Sequence, residues 1–308
     1  MSESKDIHAS TKPLSDIDHH LTYLKLSFIA DQYAPLATQA AQKQWSHVDY
    51  LARLMEGEAH VRRDRAIKSR IRLARFPVIK TLDQFRWDWP TRMNRLQVQN
   101  HFRLAFIHDK ANLIILGGVG LGKTHLATAL GYAACLQGYS VLFASAIDVI
   151  NTLAAAKGAG RLKQELKKYT KPALLILDEL GYLPIDKAGA DLLFQVISLR
   201  YEQGAIVLTS NRAFKDWPTI FNHDSTLTAA ILDRLLHHAE TVIIEGKSFR
   251  MKDQIESETL VHKTRRQRTL AAGDTLTHPL HPAFSNRPFP NIFTQPMTKC
   301  PFVNVTSL

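Results

Sequence analysis

From residue 112 onward the chain alternates short apolar runs with longer stretches of helical period. The runs Leu113–Leu116, Val141–Ala144, Leu174–Leu177, Ala205–Thr209 and Val242–Ile244 are apolar, but for the terminal Thr209, rather than alternating, which predicts strands buried on both faces. Between them, helices are predicted around Thr124–Gln137, Ala146–Lys157, Gly160–Tyr169, Ala188–Gln203 and Thr226–His238. Buried strands separated by helices imply a parallel sheet covered on both sides, an α/β domain over residues 111–253.

Upstream the pattern is helical only. Leu21, Leu24, Phe28, Tyr33 and Leu36 recur at helical spacing between Asp18 and Ala41. A second helix is predicted from Ser46, its N-cap, to Glu58, with Val48, Leu51 and Leu54 on one face. It can continue into VRRDRAIKSRIRLARFPVIK, where Ala66, Ile67, Ile71 and Ala74 supply a packing stripe and Pro77 enforces a stop. Residues 18–77 are therefore a small helical domain, and 78–110 a linker with a lead-in helix. Residues 1–17 are polar and read as disordered. Residues 254–308, rich in Thr, Pro, His and Asn without any period, read as a disordered tail. His278, His281 and the sequon-like Asn304-Val305-Thr306 within it receive no function.

Composition adds a partner. The chain holds 39 Lys plus Arg against 28 Asp plus Glu, a net charge of +11. The charge is concentrated: eight basic residues stand between Arg62 and Lys80 against the single acid Asp64. A solvated helix face is one reading of this run. The density of charge in a basic chain favours the other, a surface that tracks nucleic-acid phosphates through Arg62, Arg63, Arg65, Lys68, Arg70, Arg72 and Arg75. No zinc-finger spacing or RNA-binding aromatic signature is present, so contact with the backbone is expected rather than base readout. The two cysteines, Cys135 and Cys300, imply neither a disulfide framework nor a zinc site, and suit a reducing, cytoplasmic setting. No signal peptide and no apolar stretch of membrane-spanning length is seen, so no membrane partner is expected.

The chemistry is concentrated in NLIILGGVGLGKTHLATAL. Gly117, four further residues and Gly122-Lys123-Thr124 form the G-x-x-x-x-G-K-[ST] phosphate loop, between a predicted strand and a predicted helix as that motif requires. Glycines let successive N–H groups turn toward phosphate oxygens, and the positive end of the following helix reinforces them. The segment Gly117, Gly118, Val119, Gly120, Leu121, Gly122, Lys123, Thr124 and His125 is thus the expected nucleoside-triphosphate-binding loop. Lys123 is placed for the β- and γ-phosphates, and the Thr124 hydroxyl for Mg²⁺.

A second signal is LLILDE, an apolar strand ending in Asp178 and Glu179. Acids at a strand's carboxyl end lie at the ligand crevice of such sheets. Asp178 is the expected Mg²⁺ ligand, and Glu179 the base that activates water. The strand AIVLTS leads to Asn211, which can position that water; a turn-forming Asn is its plainer reading. Arg234 and Arg250 are isolated arginines able to meet transition-state phosphate, in cis or from a neighbouring subunit.

Taken together, GGVGLGKTHLATALG, LLILDELGYLP, Leu199-Arg200-Tyr201-Glu202, VLTSN followed by Trp217, AAILDRLLHHAE and IIEGKSFR resemble the AAA+ ATPases. More narrowly they resemble the IstB-type transposition helpers and the related DnaC-type helicase loaders. The N-terminal half, with RRDRAIKSRIRLARFP and KTLDQFRW, agrees, so the resemblance spans about residues 18 to 253. GYLP and DRLLHHAE match the IstB side. The resemblance implies an AAA+ P-loop parallel sheet flanked by helices, preceded by a small all-α N-terminal domain. It also implies an ATP-dependent oligomer that assembles on double-stranded DNA and recruits or stimulates an IstA-like transposase. Lys123 and Thr124 match Walker A, Asp178 and Glu179 Walker B, and Asn211 sensor 1. Arg234 falls at the arginine-finger position, acting on a neighbour's nucleotide, and Arg250 at sensor 2. The tail beyond Gln254 has no counterpart in that family pattern. A helicase loader, a small-molecule kinase and a binding module with a degenerate nucleotide site are the competing functions. The adjacent Asp178 and Glu179 argue against the kinase, and the complete motif set against the degenerate site.

Overall fold

The computed structural model describes residues 15–89 and 91–251. The expectations for the extreme N-terminus, the tail, Cys300, His278, His281 and Asn304-Val305-Thr306 lie outside the described residues.

The helical N-terminal region is made of α1 (Ser15–Tyr23), α2 (Ser27–Lys43) and α3 (His47–Ala74). The single helix expected over 18–41 is broken at Lys25, which adopts a left-handed backbone (φ 56°). The buried Glu58 of α3 accepts the Phe28 and Ile29 N–H groups at the start of α2, holding the two helices together. Ser46 caps α3 in a reciprocal box with Asp49, as its position before the helix suggested. The helix runs 28 residues, through the whole basic run, and ends before Pro77 at a left-handed Arg75. The face assigned to Val48, Leu51 and Leu54 is corrected: only Leu54 is buried, while Val48 and Leu51 are exposed. Glycine and phenylalanine make the packing face here, since Gly57 lies directly against the Phe28 ring.

A 3-10 turn (Leu82–Gln84), the two-residue strand β1 (Thr91–Arg92), α4 (Arg95–His101) and α5 (Ala105–His108) lead into the sheet. There follow β2 (Asn112–Gly117), α6 (Lys123–Leu136), β3 (Val141–Ser145), α7 (Ala146–Gly158), α8 (Leu162–Thr170) and β4 (Leu174–Leu180). The domain continues with α9 (Lys187–Arg200), β5 (Ala205–Ser210), α10 (Trp217–Ile220), α11 (Ser225–Leu236) and β6 (Ala239–Gly246). Every strand expected from an apolar run is present, but the double-sided burial expected of Val242–Ile244 is corrected: in β6 Val242 and Ile244 are buried while Ile243 is exposed. Five are parallel in the order β6-β2-β5-β4-β3, and β1 adds antiparallel to β6.

Two apolar layers cover the sheet. One packs α7, α9 and α11 on one face around Val149, Leu193, Ile197 and Ile231, and the other packs α6 on the opposite face around Leu126, Ala127 and Leu130. Ile71 and Ala74 of α3 join the second layer, so the interleaved stripe of the basic helix is what seats it on the sheet. Arg200 is 1% exposed and donates to the carbonyls of Tyr169, Pro172 and Ala205, which fastens the turns preceding β4 and β5. Burial pushes its guanidinium pKa down to about 10. Among the described residues no helix is long and apolar enough to cross a membrane.

Candidate active site

β2 ends at Gly117 and α6 begins at Lys123, so the glycine-rich segment must reverse direction within a few residues. Gly122 does so with φ 89°, and a Cβ there would stand 2.7 Å from the Phe85 ring. Gly120 has φ 76° and lies directly against Ser248 Oγ, while its carbonyl accepts the Phe249 N–H at 2.9 Å. The loop is thus pinned by the segment after β6. The Leu121 side chain is anchored in the core and Val119 stands in solvent, so these two residues have backbone groups, not side chains, to offer a phosphate. The first N–H groups of α6 have no partner within the helix and carry its positive dipole end.

Lys123 donates from Nζ to the Gly118 carbonyl at 2.8 Å. Burial lowers its pKa, with Asp178 and Glu179 opposing that shift and Arg250 adding to it. Thr124 Oγ1 lies 3.1 and 3.0 Å from the two carboxylate oxygens of Asp178. A hydroxyl and a carboxylate side by side are hard oxygen donors, a set that fits Mg²⁺ held together with nucleotide phosphates. His125 lines the same cavity, but its Nε2 is engaged with the Thr81 carbonyl at 2.9 Å, tying α6 to the lead-in segment. Burial lowers the His125 pKa, the Thr81 contact opposing it.

The acid pair sits where β4 loses register with β5, between Leu177 and Leu180. Asp178 is buried, whereas Glu179 is exposed with a left-handed backbone of φ 61°. Such a conformation costs a non-glycine residue about 1–3 kcal/mol and persists when its surroundings enforce it. Thr209 of β5 is the enforcing neighbour: its hydroxyl accepts the Glu179 N–H at 2.9 Å and donates to Asp178 at 2.5 Å. The sequence offered one hint of this, the position of Thr209 two residues before Asn211 in VLTSN.

A cavity of about 950 Å³ gathers Gly120–Thr124, Glu179, Asn211 and Arg250, with Ile79, Phe85 and Trp89 supplying apolar wall. Six residues expected to act on the nucleotide therefore converge: Lys123 and Thr124 from α6, Asp178 and Glu179 from β4, Asn211 after β5, and Arg250 after β6. The aromatic wall and the strap at Ser248 and Phe249 were not anticipated. Arg234 is elsewhere. It lies on α11, bonded to the Ala230 carbonyl at 3.1 Å and stacked 4.7 Å from the Phe194 ring centroid.

Of the basic run, Arg62, Arg63, Arg65, Lys68, Arg72 and Arg75 are exposed. Arg62 reaches Glu58 and the Leu24 carbonyl, and Arg65 donates to Ser27 at 2.6 Å. Arg70 is half-buried on the packed side of α3, with its guanidinium against Gly138. Lys68 and Arg72 share an exposed side of α3, turned away from Ile67, Ile71 and Ala74, and Arg75 follows as the exposed, left-handed C-cap.

Strand order decides what meets the phosphate loop. With β5 inserted between β2 and β4, Thr209 and Asn211 fall between the loop and the acid pair, the arrangement of an AAA+ P-loop ATPase, and this chain is one. Its similarities are specific. The chain belongs to the IstB-like ATP-binding proteins, whose family model matches residues 19–257. It is 39% identical over 251 residues to a protein of insertion sequence IS21 from Pseudomonas aeruginosa, covering 82% of this chain and 94% of that one. It is 40% identical over 239 residues to a protein of insertion sequence IS232 from Bacillus thuringiensis subsp. berliner, covering 78% and 95% respectively. Among solved structures, the DnaC helicase loader aligns with TM-score 0.44 at 24% identity, covering 53% of this chain and 96% of the loader.

Proposed function

We propose that this ATPase is a transposition helper that assembles with copies of itself on duplex DNA and recruits or stimulates a partner transposase. The observation that carries the reading is the separation of Arg234 from an otherwise convergent nucleotide site. An arginine fork held on another face of the domain suits the nucleotide of a neighbouring copy. The insertion-sequence relatives, at about 40% identity over most of their length, supply the biological setting.

Lys123 and the loop N–H groups bind the β- and γ-phosphates. Thr124 and Asp178 hold Mg²⁺, which when bound neutralises charge on those phosphates. Asn211 orients a water, and Glu179 takes its proton as the water oxygen attacks the γ-phosphorus and the bond to the β–γ bridging oxygen breaks. Arg250 in cis and Arg234 from the neighbour face the charge of the transferring group. ATP-bound copies hold together on DNA, and hydrolysis releases them. Lys68, Arg72 and Arg75 follow the DNA backbone, with Arg62, Arg63 and Arg65 at the margin.

The test is ATP turnover with and without duplex DNA, for the wild type and Glu179→Gln, with particle size followed in parallel. Duplex DNA should stimulate the wild type. The variant should bind ATP, lose about 10²–10⁴-fold in turnover and accumulate large DNA-bound assemblies. A monomer indifferent to DNA would return the small-molecule kinase to the front. Preference for single strands over duplex would favour a helicase loader.

A further inference from the structure

Tyr201-Glu202 and His237-His238 are prominent in the sequence, and the nucleotide site uses none of them. Tyr201 and Glu202 follow α9 on the way into β5, and His237 and His238 join α11 to β6. Both connections enter strands at their N-terminal ends, on the sheet edge opposite the phosphate loop, which leaves β2 at its C-terminal end. Whatever the cluster does is therefore separate from the Mg²⁺ expected beside Thr124.

We propose that Glu202, His237 and His238 bind a borderline transition-metal cation, Zn²⁺ being the best fit. One donor atom from each of the three lies within 4.8 Å of the others, and among the described residues this is the one such group. His238 Nε2 is 3.6 Å from Glu202 Oε1, and the two imidazole centroids are 4.2 Å apart. Tetrahedral Zn²⁺ with bonds near 2.0–2.1 Å separates its donors by roughly 3.3–3.5 Å, so this pair needs to close by only a few tenths of an ångström. Two imidazoles with one carboxylate suit Zn²⁺ and disfavour Mg²⁺, which wants oxygen donors.

Two neighbouring features favour a cation here. The Tyr201 hydroxyl lies 2.8 Å from His237 Nδ1. Donation of Nδ1–H to that oxygen leaves Nε2 with the lone pair a metal requires, the outer-shell device usual for metal-bound histidine. His237 is also the C-cap of the 12-residue α11, where the negative end of the helix dipole attracts positive charge. All three ligands are exposed, so water completes the coordination and binding is reversible. The ion would clip the α9–β5 connection to the end of α11, one helical turn beyond Arg234. The site stands whether or not the protein binds DNA.

The experiment uses the full chain without a polyhistidine tag, stripped by chelator, with Co²⁺ as the spectroscopic stand-in and Zn²⁺ as competitor. One Co²⁺ per chain should give visible absorption bands that Zn²⁺ abolishes. His238→Ala and Glu202→Gln should each weaken binding by at least 10-fold, the size of effect that even outer-shell changes produce. Saturating Zn²⁺ should raise the unfolding midpoint on the order of 5 °C in the wild type and in His108→Ala, an exposed histidine paired with Asp109, but not in the two site variants. Circular dichroism would verify that the surface variants fold. Unchanged affinity in His238→Ala and Glu202→Gln would assign the metal to other histidines, such as His262, and overturn the site. No saturable binding at large metal excess would overturn it equally.

Discussion

Thr209 on β5 and Asp178 on β4 are joined by a 2.5 Å hydrogen bond, and the same hydroxyl receives the Glu179 N–H at 2.9 Å. One fully buried side chain on the neighbouring strand thus positions both acids across a break in strand register. Thr209→Val keeps the shape and removes the hydroxyl, leaving the buried Asp178 carboxylate and the partly buried Glu179 N–H each short of a partner at a cost of about 1–3 kcal/mol. We expect kcat for ATP to fall roughly 10–100-fold with KM nearly unchanged, since the loss falls on positioning the acids rather than on binding phosphates. Thr209→Ser should recover most of the rate. Equal loss in the valine and serine variants would point to strand packing instead.

The two sides of α3 predict opposite phenotypes. Lys68→Ala with Arg72→Ala should weaken duplex binding for all sequences alike and reduce the salt dependence of log K by about 2, near one per charge removed. Fluorescence anisotropy across a salt series reads this directly. Arg70→Ala, on the packed side, should lower stability and leave the salt slope unchanged. If Arg70 moves the slope and the outward pair does not, the DNA face of this helix is assigned wrongly.

Acid should destabilise the fold through histidines. His101 is 5% exposed, and burial lowers its pKa from 6.5, although Glu240, 3.3 Å away without hydrogen-bond geometry, opposes the shift. His125 is lowered by burial as well. Above pH 6.5 both states carry neutral rings and the shift contributes nothing. Below it the unfolded chain takes up protons that the folded chain resists, so stability falls until the folded pKa is reached. The urea midpoint should therefore drop between pH 7 and pH 5, and His101→Gln should shrink that drop. A midpoint that rises over the interval would contradict the assignment.

What could be read in the sequence was local. The phosphate loop shows because its glycines and Lys123-Thr124 are fixed by chain geometry between one strand and one helix. The strands β2, β4 and β5 show because double-sided burial leaves uninterrupted apolar runs, whereas β6 has an equally apolar run but leaves Ile243 exposed between the buried Val242 and Ile244. Thr209 was hidden because threonine is an ordinary strand residue, and only the pairing of β4 with β5 reveals that its hydroxyl serves Asp178 and Glu179. The strap of Phe249 on Gly120 joins residues far apart in sequence, which no periodicity reports. Val48 and Leu51 misled because an apolar stripe marks a face able to pack, whereas α2 meets α3 through Gly57 and Glu58. Arg70 and Arg72 are alike in sequence, and the seating of α3 on the sheet distinguishes them.

The central claim is that the nucleotide site of one copy is completed by Arg234 of the next. The direct measurement is ATP hydrolysis on duplex DNA by a mixture of Glu179→Gln and Arg234→Ala, each nearly inactive alone. In a random assembly about a quarter of the interfaces pair an intact Glu179 with an intact Arg234, so the equal mixture should recover roughly a quarter of wild-type turnover. A mixture no more active than the sum of its parents would contradict the claim, because it would mean that Arg234 does not act across a subunit boundary.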